Sequence, residues 1–386
     1  MTVSLEIRNL SGMVTGRLDD AVAEPEVIRV EDGLIAGFEP GPEPDAVLDA
    51  GGAVVMPGLI DSHSHVVFGD WTPRQNALGW IESSLHGGVT MMMSASEVHL
   101  PGRPKDREGV KALALTAQRA FDTWRPGGVK VLAGSVIIEP TLRPEDFAEL
   151  KEKGVWLAKV GFGDFSPQAD AAPLVRAAQE NGFVVMNHTG GASIPESSPV
   201  TIEDVLALGC DIIGHANGGT TALADADLVK LFDAPGAIQL VQAGNLRSST
   251  EIMERAYDLD ALDRIVLATD TPTGTGVMPL GLIKTICEIS SLCGLAAPRA
   301  IALATGNNAE VLGRPEGVLE PGRPADLLCA FAPLGSSCDG PLSSIEFGDI
   351  PGIAAVMVDG EVKALRSRNT PAPDGACQLI GKPGLN

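Results

Sequence analysis

The chain has 386 residues, of which 44% are hydrophobic, so it can bury a large core and exceeds the usual size of one domain. Its formal net charge of −22 argues against nucleic acid or an anionic membrane surface as a partner, because both carry the same sign. No apolar run approaches the roughly 20 residues that span a bilayer, and residues 1–8 lack the blocks of a signal peptide. Six cysteines without a Cys-x-x-Cys pair favour reduced thiols over a disulfide frame, and the expectation is a cytoplasmic enzyme.

Residues 1 to about 57 alternate short apolar segments with Gly and Pro, and Asp32-Gly33 between Val27–Val30 and Leu34–Phe38 is a hairpin signal. From about 54 to 307, apolar strands alternate with amphipathic helices. Candidate strands run over Val54–Ile60, Val89–Ser94, Val129–Val136, Val155–Val160, Phe183–Asn187, Ile212–Gly214, Ile238–Gln242 and Ile265–Thr269. Their near-continuous Val, Ile and Leu content is what strands covered on both faces require. Eight strand and helix units indicate an α/β fold, a (β/α)8 TIM barrel. Beyond Val311 short β segments return, clearest at Ala325–Ala330 and Ala354–Val362. Packing the strands of both chain ends together yields a small β-sandwich domain, with boundaries at 1–56, 57–312 and 313–386. The tail from Asn369, rich in Pro and Gly, reads as a surface arm.

Barrel enzymes carry their chemistry at the C-terminal ends of the strands. In an extended strand His63 and His65 point the same way, so both imidazoles can reach one ion. A hydrogen-bonded turn is the plainer reading of an isolated pair. Here His188 and His215 end apolar runs of the same kind, and Asp270 follows the eighth. Lys159 lies inside the apolar run Val155–Gly163, where an unpaired ammonium costs several kcal/mol. It either snorkels to a carboxylate at the barrel mouth or serves the site. Asp270 alone would be an ordinary turn aspartate; beside four histidines it reads as a ligand able to shuttle protons. His86, before Gly87-Gly88, reads as a helix C-terminal residue. His99, in the loop after the second strand, reads equally as surface or substrate contact.

The segments Val30–Gly33, Met56–His65, Ala304–Ala309 and Gly317–Leu327 resemble the amidohydrolase superfamily of metal-dependent hydrolases, over nearly the whole chain. Within it, His99–Asp106, Met186–Gly191, Asp270–Gly276, Gly348–Ile353 and Ser367–Pro371 are similar to members that open a cyclic enamide. Those members carry a glutamate as bridging ligand where this chain has Lys159. In many other amidohydrolases that position is a lysine carboxylated by carbon dioxide.

The resemblance implies two divalent ions, zinc, iron or manganese. His63, His65 and Asp270 would bind the buried one, His188 and His215 the exposed one, and Lys159 both, as N6-carboxylysine. It implies attack of a metal-bridging hydroxide on a cyclic amide or enamide, with Asp270 as proton shuttle. Other cyclic imides or lactams, an acyclic amide or a dipeptide stay open as substrates. Deamination is disfavoured because Asn187-His188-Thr189 offers no glutamate base, and a noncatalytic scaffold because all six ligand positions are filled. A carboxylate-bearing substrate needs a local cation in so acidic a protein. Arg103 and Lys105, then Arg74, are the candidates, with His99 as a further contact. By analogy with related tetramers the chain is expected to be a homo-oligomer.

Overall fold

The computed structural model describes residues 4–66, 74–98, 101–194, 196–272 and 278–381, with the backbone alone for 74–78. Its central strands, in chain order, are β1 (Leu59–Ser64), β2 (Val89–Ser94), β3 in two pieces (Lys130–Leu132 and Ser135–Ile137), β4 (Leu157–Val160), β5 (Val184–Asn187), β6 (Ile212–Ile213), β7 (Ala237–Val241) and β8 (Ile265–Ala268). All pairings among them are parallel. The first piece of β3, β2 and β1 form a three-stranded run; the second piece through β8 form a six-stranded run in sequence order. Backbone bonds join the two runs at both seams: Glu97 N–H to Ser135 O at 3.0 Å, and Asp270 N–H to His63 O and His65 N–H to Thr271 O, each at 2.8 Å. The chain thus has mixed α/β content, with its parallel strands ordered as the sequence pattern predicts.

Helices between the strands bury one stripe each. Leu246–Asp258 turns Ile252, Met253 and Ala256 inward, three and four residues apart, while Arg247 stays exposed and Asn245 caps the Ser248 N–H. Inside the strands, Ile60, Met91, Met93, Leu157, Met186 and Ile212 pack with Ala309 and Leu312.

The remaining strands draw on both chain ends. One five-stranded sheet runs Gln378–Gly381, Ala46–Asp49, Ser4–Arg8, Ile28–Glu31, Leu34–Gly37. A six-stranded sheet runs Glu361–Leu365, Gly352–Val358, Leu327–Phe331, Val54–Pro57, Gly12–Val14, Val22–Ala23. One apolar cluster takes side chains from both, among them Ile7, Ile28, Leu48, Val55, Leu327 and Met357. The expected hairpin is present: Asp32 (φ 49°) and Gly33 (φ 81°) turn between antiparallel strands.

Two expectations need correction. The apolar run from Val54 to Ile60 is two strands: Val54–Pro57 pairs with Leu327–Phe331, and β1 starts afresh at Leu59. Gly58 makes the crossing because Thr90 lies against it; a Cβ there would sit 2.2 Å from Thr90 Oγ1. The tail from Asn369 lies at the surface but ends as an edge strand, since Gln378–Gly381 pairs antiparallel with Ala46–Asp49. Asn369 Nδ2 also donates to the carbonyl and hydroxyl oxygens of Ser83, both at 2.8 Å. His86 stands at the end of the Arg74–Leu85 helix as expected, its Nδ1 accepting the Arg368 N–H.

The central strands and the terminal sheets meet at a buried charge cluster. Lys130 Nζ lies 2.7 Å from Asp359 Oδ1, 2.8 Å from Asp326 Oδ2 and 3.0 Å from Glu316 Oε1. Burial disfavours the ammonium, but the three carboxylates outweigh it and raise its pKa above the ordinary lysine value. Lys130→Ala leaves the buried Asp326 without its cation, while Asp359 and Glu316 keep Arg125 and Arg314, and a loss of about 3–5 kcal/mol is expected, read as a lowered midpoint in chemical denaturation.

Candidate metal centre

The described ends of the parallel strands bring together His63, His65, Lys159, His188, His215 and Asp270. All but Asp270 are buried, and the Asp270 side chain is 16% exposed. Asp270 Oδ1 lies 3.1 Å from His63 Nε2 and 3.2 Å from His65 Nε2. Donor atoms of these three residues all fall within 4.8 Å of one another. Lys159 Nζ is 3.5 Å from His63 Nε2. On the other flank His188 Nδ1 lies 2.9 Å from His215 Nε2. The His63 and His215 ring centres, 5.4 Å apart, connect the two flanks.

The surroundings decide which nitrogens carry protons. Gln239, in β7, places one amide atom 3.3 Å from the His215 backbone N–H, which only donates, so that atom is oxygen. The same Oε1 lies 2.6 Å from His63 Nδ1, which therefore carries the ring proton and leaves Nε2 bare. Gln239 Nε2 in turn donates to Ser62 Oγ at 2.9 Å. His188 Nε2 faces the Gly191 carbonyl at 2.8 Å and must donate, which leaves Nδ1 bare toward His215. Burial depresses the pKa of His63 and His188 to about 4 and that of His215 well below the ordinary value, keeping the imidazoles neutral. Burial works against the Asp270 carboxylate, but its place among the imidazoles of His63, His65 and His215 holds its pKa well below the usual range.

A bare imidazole nitrogen and a carboxylate oxygen 3.1 Å apart are two acceptors facing each other, which is stable with a cation between them. Neutral imidazoles with one nitrogen donated outward, plus a carboxylate, form the donor set of zinc, iron or manganese. The residues fit a metal.

Behind these groups Asp61, on β1, holds the ends of β1 and β8. Its Oδ1 accepts from Thr269 N–H at 3.0 Å and its Oδ2 from Thr269 Oγ1 at 2.6 Å. Burial raises its pKa to about 6 against those bonds. His215 (φ 34°) and Asp270 (φ 56°) both sit in the left-handed region, a sparsely populated conformation that recurs at functional sites. Lys159, which has no carboxylate salt bridge among the described residues, has its pKa lowered by burial to about 8.

The expected substrate contacts come out differently. Arg103 is buried and ion-paired with Glu139, and its Nη2 donates to the Phe162 carbonyl at 2.6 Å. The Phe162 ring centre lies 5.1 Å from that of His188, so Arg103 reaches the centre through a neighbour rather than as a free cation. Lys105 is half-buried, its carbonyl accepting from Thr141 Oγ1. His99 and the Arg74 side chain lie outside the described residues. Gln239 and Asp61 escaped the sequence reading, although each interrupts an apolar run as Lys159 does.

The amidohydrolase family pattern matches residues 54–363. The chain belongs to the amidohydrolase family. Enamidase of Eubacterium barkeri is 43% identical over 97% of this chain and 99% of its own. The crystal structure of enamidase superimposes with a TM-score of 0.93 at 42% identity, covering 98% of this chain and all of the other. Imidazolonepropionase of Salinispora arenicola is more distant, 26% identical over 86% of this chain and 93% of its own. Members of the amidohydrolase family bind divalent metals, as the donor set here requires.

Removing the Gln239 carbonyl frees the His63 ring to adopt its other tautomer. Gln239→Leu is expected to weaken metal retention about 10–100-fold, measured by competition with a chromogenic chelator.

Proposed function

We propose that this chain is a dinuclear metal-dependent amidohydrolase that opens the C–N bond of a cyclic amide or enamide. The observation that carries the reading is Asp270 Oδ1 set within 3.2 Å of two imidazole nitrogens, with Lys159 and the His188–His215 pair against the same cluster. In this reading the strands close as a (β/α)8 barrel over residues 57–312. Residues 1–56 and 313–386 pack as one β-sandwich beside it. His63, His65 and Asp270 would hold one ion and His188 and His215 the other, with Lys159, as a carbamate, as the ligand shared between them. Zinc, iron and manganese all suit these donors.

Ions bound there would polarise the amide carbonyl and acidify water at neutral pH. The chain's own residues supply the remainder. Asp270, ionised and partly open to solvent, accepts the proton of the attacking water at a carboxylate oxygen and returns it to the leaving nitrogen. Asp61, through Thr269, fixes the backbone from which Asp270 projects. Phe162 and the buried Arg103–Glu139 pair back the His188 side of the centre. The half-buried Lys105 is the proposed partner for a substrate carboxylate. Lys159 reacts with carbon dioxide as the free amine, and its lowered pKa makes that form available near neutrality. The 43% identity to a relative named enamidase supports an enamide as substrate. Likeness to tetrameric members supports a homo-oligomer, and six free thiols support a reducing cytoplasm.

Incubating the metal-loaded protein with a panel of cyclic enamides, lactams and imides should give ring opening, with ammonia released from the enamides. Turnover of dipeptides or purines alone would overturn the assignment. Asp270→Asn should lower kcat roughly 10²–10⁴-fold. Reconstitution with metal in carbon-dioxide-free buffer should leave Lys159 without its added carbon dioxide by intact mass. Activity should then return on adding bicarbonate; full activity with an unmodified amine would remove Lys159 from the ligand set.

A further inference from the structure

A buried ion pair stands behind one flank of the metal centre. Arg103, in the loop after β2, and Glu139, just past β3, have side chains only 2% and 1% exposed. Such a pair commonly stabilises a fold no more than apolar residues of the same size, so its worth lies in what it holds. Both members reach the loop that follows β4. Arg103 Nη2 donates to the Phe162 carbonyl at 2.6 Å, and Glu139 Oε2 accepts the Asp164 N–H at 2.9 Å. The pair thus takes the backbone polar groups on either side of Gly163. Gly163 itself is packed so closely that a Cβ there would lie 2.2 Å from the Ile138 carbonyl oxygen.

The loop held in this way lies against His188 at three points. The His188 N–H donates to the Val160 carbonyl at 2.8 Å, a Cβ on Gly161 (φ 111°) would sit 2.5 Å from His188 Cβ, and the Phe162 ring centre is 5.1 Å from that of the imidazole, the planes inclined at 53°. The Gly191 carbonyl fixes the His188 ring at one edge, and Phe162 covers a face. An imidazole offers its lone pair along one direction in the ring plane, so a ring free to tilt holds an ion less well. The other flank has its own supports in Gln239 and the Asp61–Thr269 bonds, to which neither Arg103 nor Glu139 contributes. Lys159, between the flanks, has its carbonyl held by the Ile138 N–H at 2.8 Å.

We propose that Arg103 and Glu139 are positioning residues for a single ion: through the Phe162 backbone they set the Phe162 ring against His188, and so fix the affinity of the His188–His215 side while leaving the His63–His65–Asp270 side unaffected. The proposal rests on the two-ion reading of the site. It gives the buried Arg103 a use that needs no contact with substrate, and it makes the two ions separately adjustable. Arginine suits the task because one planar guanidinium can pair with a carboxylate and still donate to a carbonyl beside it.

The zinc-loaded, full-length protein should be equilibrated with graded concentrations of a chelator and its zinc content per chain measured. Wild type should release zinc in two steps, and a His188→Ala control identifies the step that belongs to the His188–His215 side. In Arg103→Leu that step should come at about 10–100-fold lower chelator, with the other step unmoved. Phe162→Ala keeps the ion pair, so it tests the same link should Arg103→Leu fail to fold, and the same selective shift is expected. A single step in the wild type would overturn the two-ion reading and this proposal with it. Two wild-type steps that stay in place, or that shift together, in Phe162→Ala would overturn the positioning role and leave the two-ion reading standing. So would a folded Arg103→Leu that keeps both wild-type steps.

Discussion

The seam between β1 and β8 is the interaction on which the rest depends. Here the Asp270 N–H reaches the His63 carbonyl, the His65 N–H reaches the Thr271 carbonyl, and Asp61 takes two hydrogen bonds from Thr269. The bonds that join the first strand to the last also fix the three residues whose donor atoms converge. A shift of one residue in this register would turn His63 and His65 to the opposite face and carry Asp270 away from both. Strand pairing and site geometry are therefore a single constraint. The buried Asp61, a costly residue for an apolar interior, is explained by it.

Neutral imidazoles and an ionised carboxylate coexist because each is given a different neighbour. Gln239 and the Gly191 carbonyl take the outward ring protons, and burial opposes further protonation. Asp270 keeps its charge through its place among the His63, His65 and His215 imidazoles and a remnant of solvent contact. Two acceptors at hydrogen-bond distance are tolerated only where a cation belongs. The carbonyl of a single glutamine sets the ring state on one flank and anchors the His215 backbone on the other, so both flanks answer to one side chain.

Much of this was legible because polar residues in apolar runs are costly and so carry information. Lys159 stands out on that ground, and His63, His65, His188, His215 and Asp270 because they end or follow such runs; the structure gathers all six. Gln239 carries the same signal, but a neutral amide in a strand is cheaper to bury and so says less. Arg103 reads as a free cation because sequence shows a charge but not its partner; Glu139, farther along the chain, is ion-paired with it. The run Val54–Ile60 reads as one strand since hydrophobicity does not reveal that a glycine passes it from one sheet to another. The C-terminal segment looked like an arm because an edge strand of four residues, three of them exposed, has little apolar signature.

The interleaving of the terminal sheets has a consequence for how the protein is made. Val54–Pro57 lies between Gly12–Val14 and Leu327–Phe331, so a strand synthesised early has one of its two neighbours only after all the central strands have been made. The N-terminal strands must therefore leave the ribosome with an unpaired edge and keep it while most of the chain is still to come. Until Leu327–Phe331 arrives, that edge is a template for wrong pairing, and covering it is what the later strand contributes to the earlier sheet.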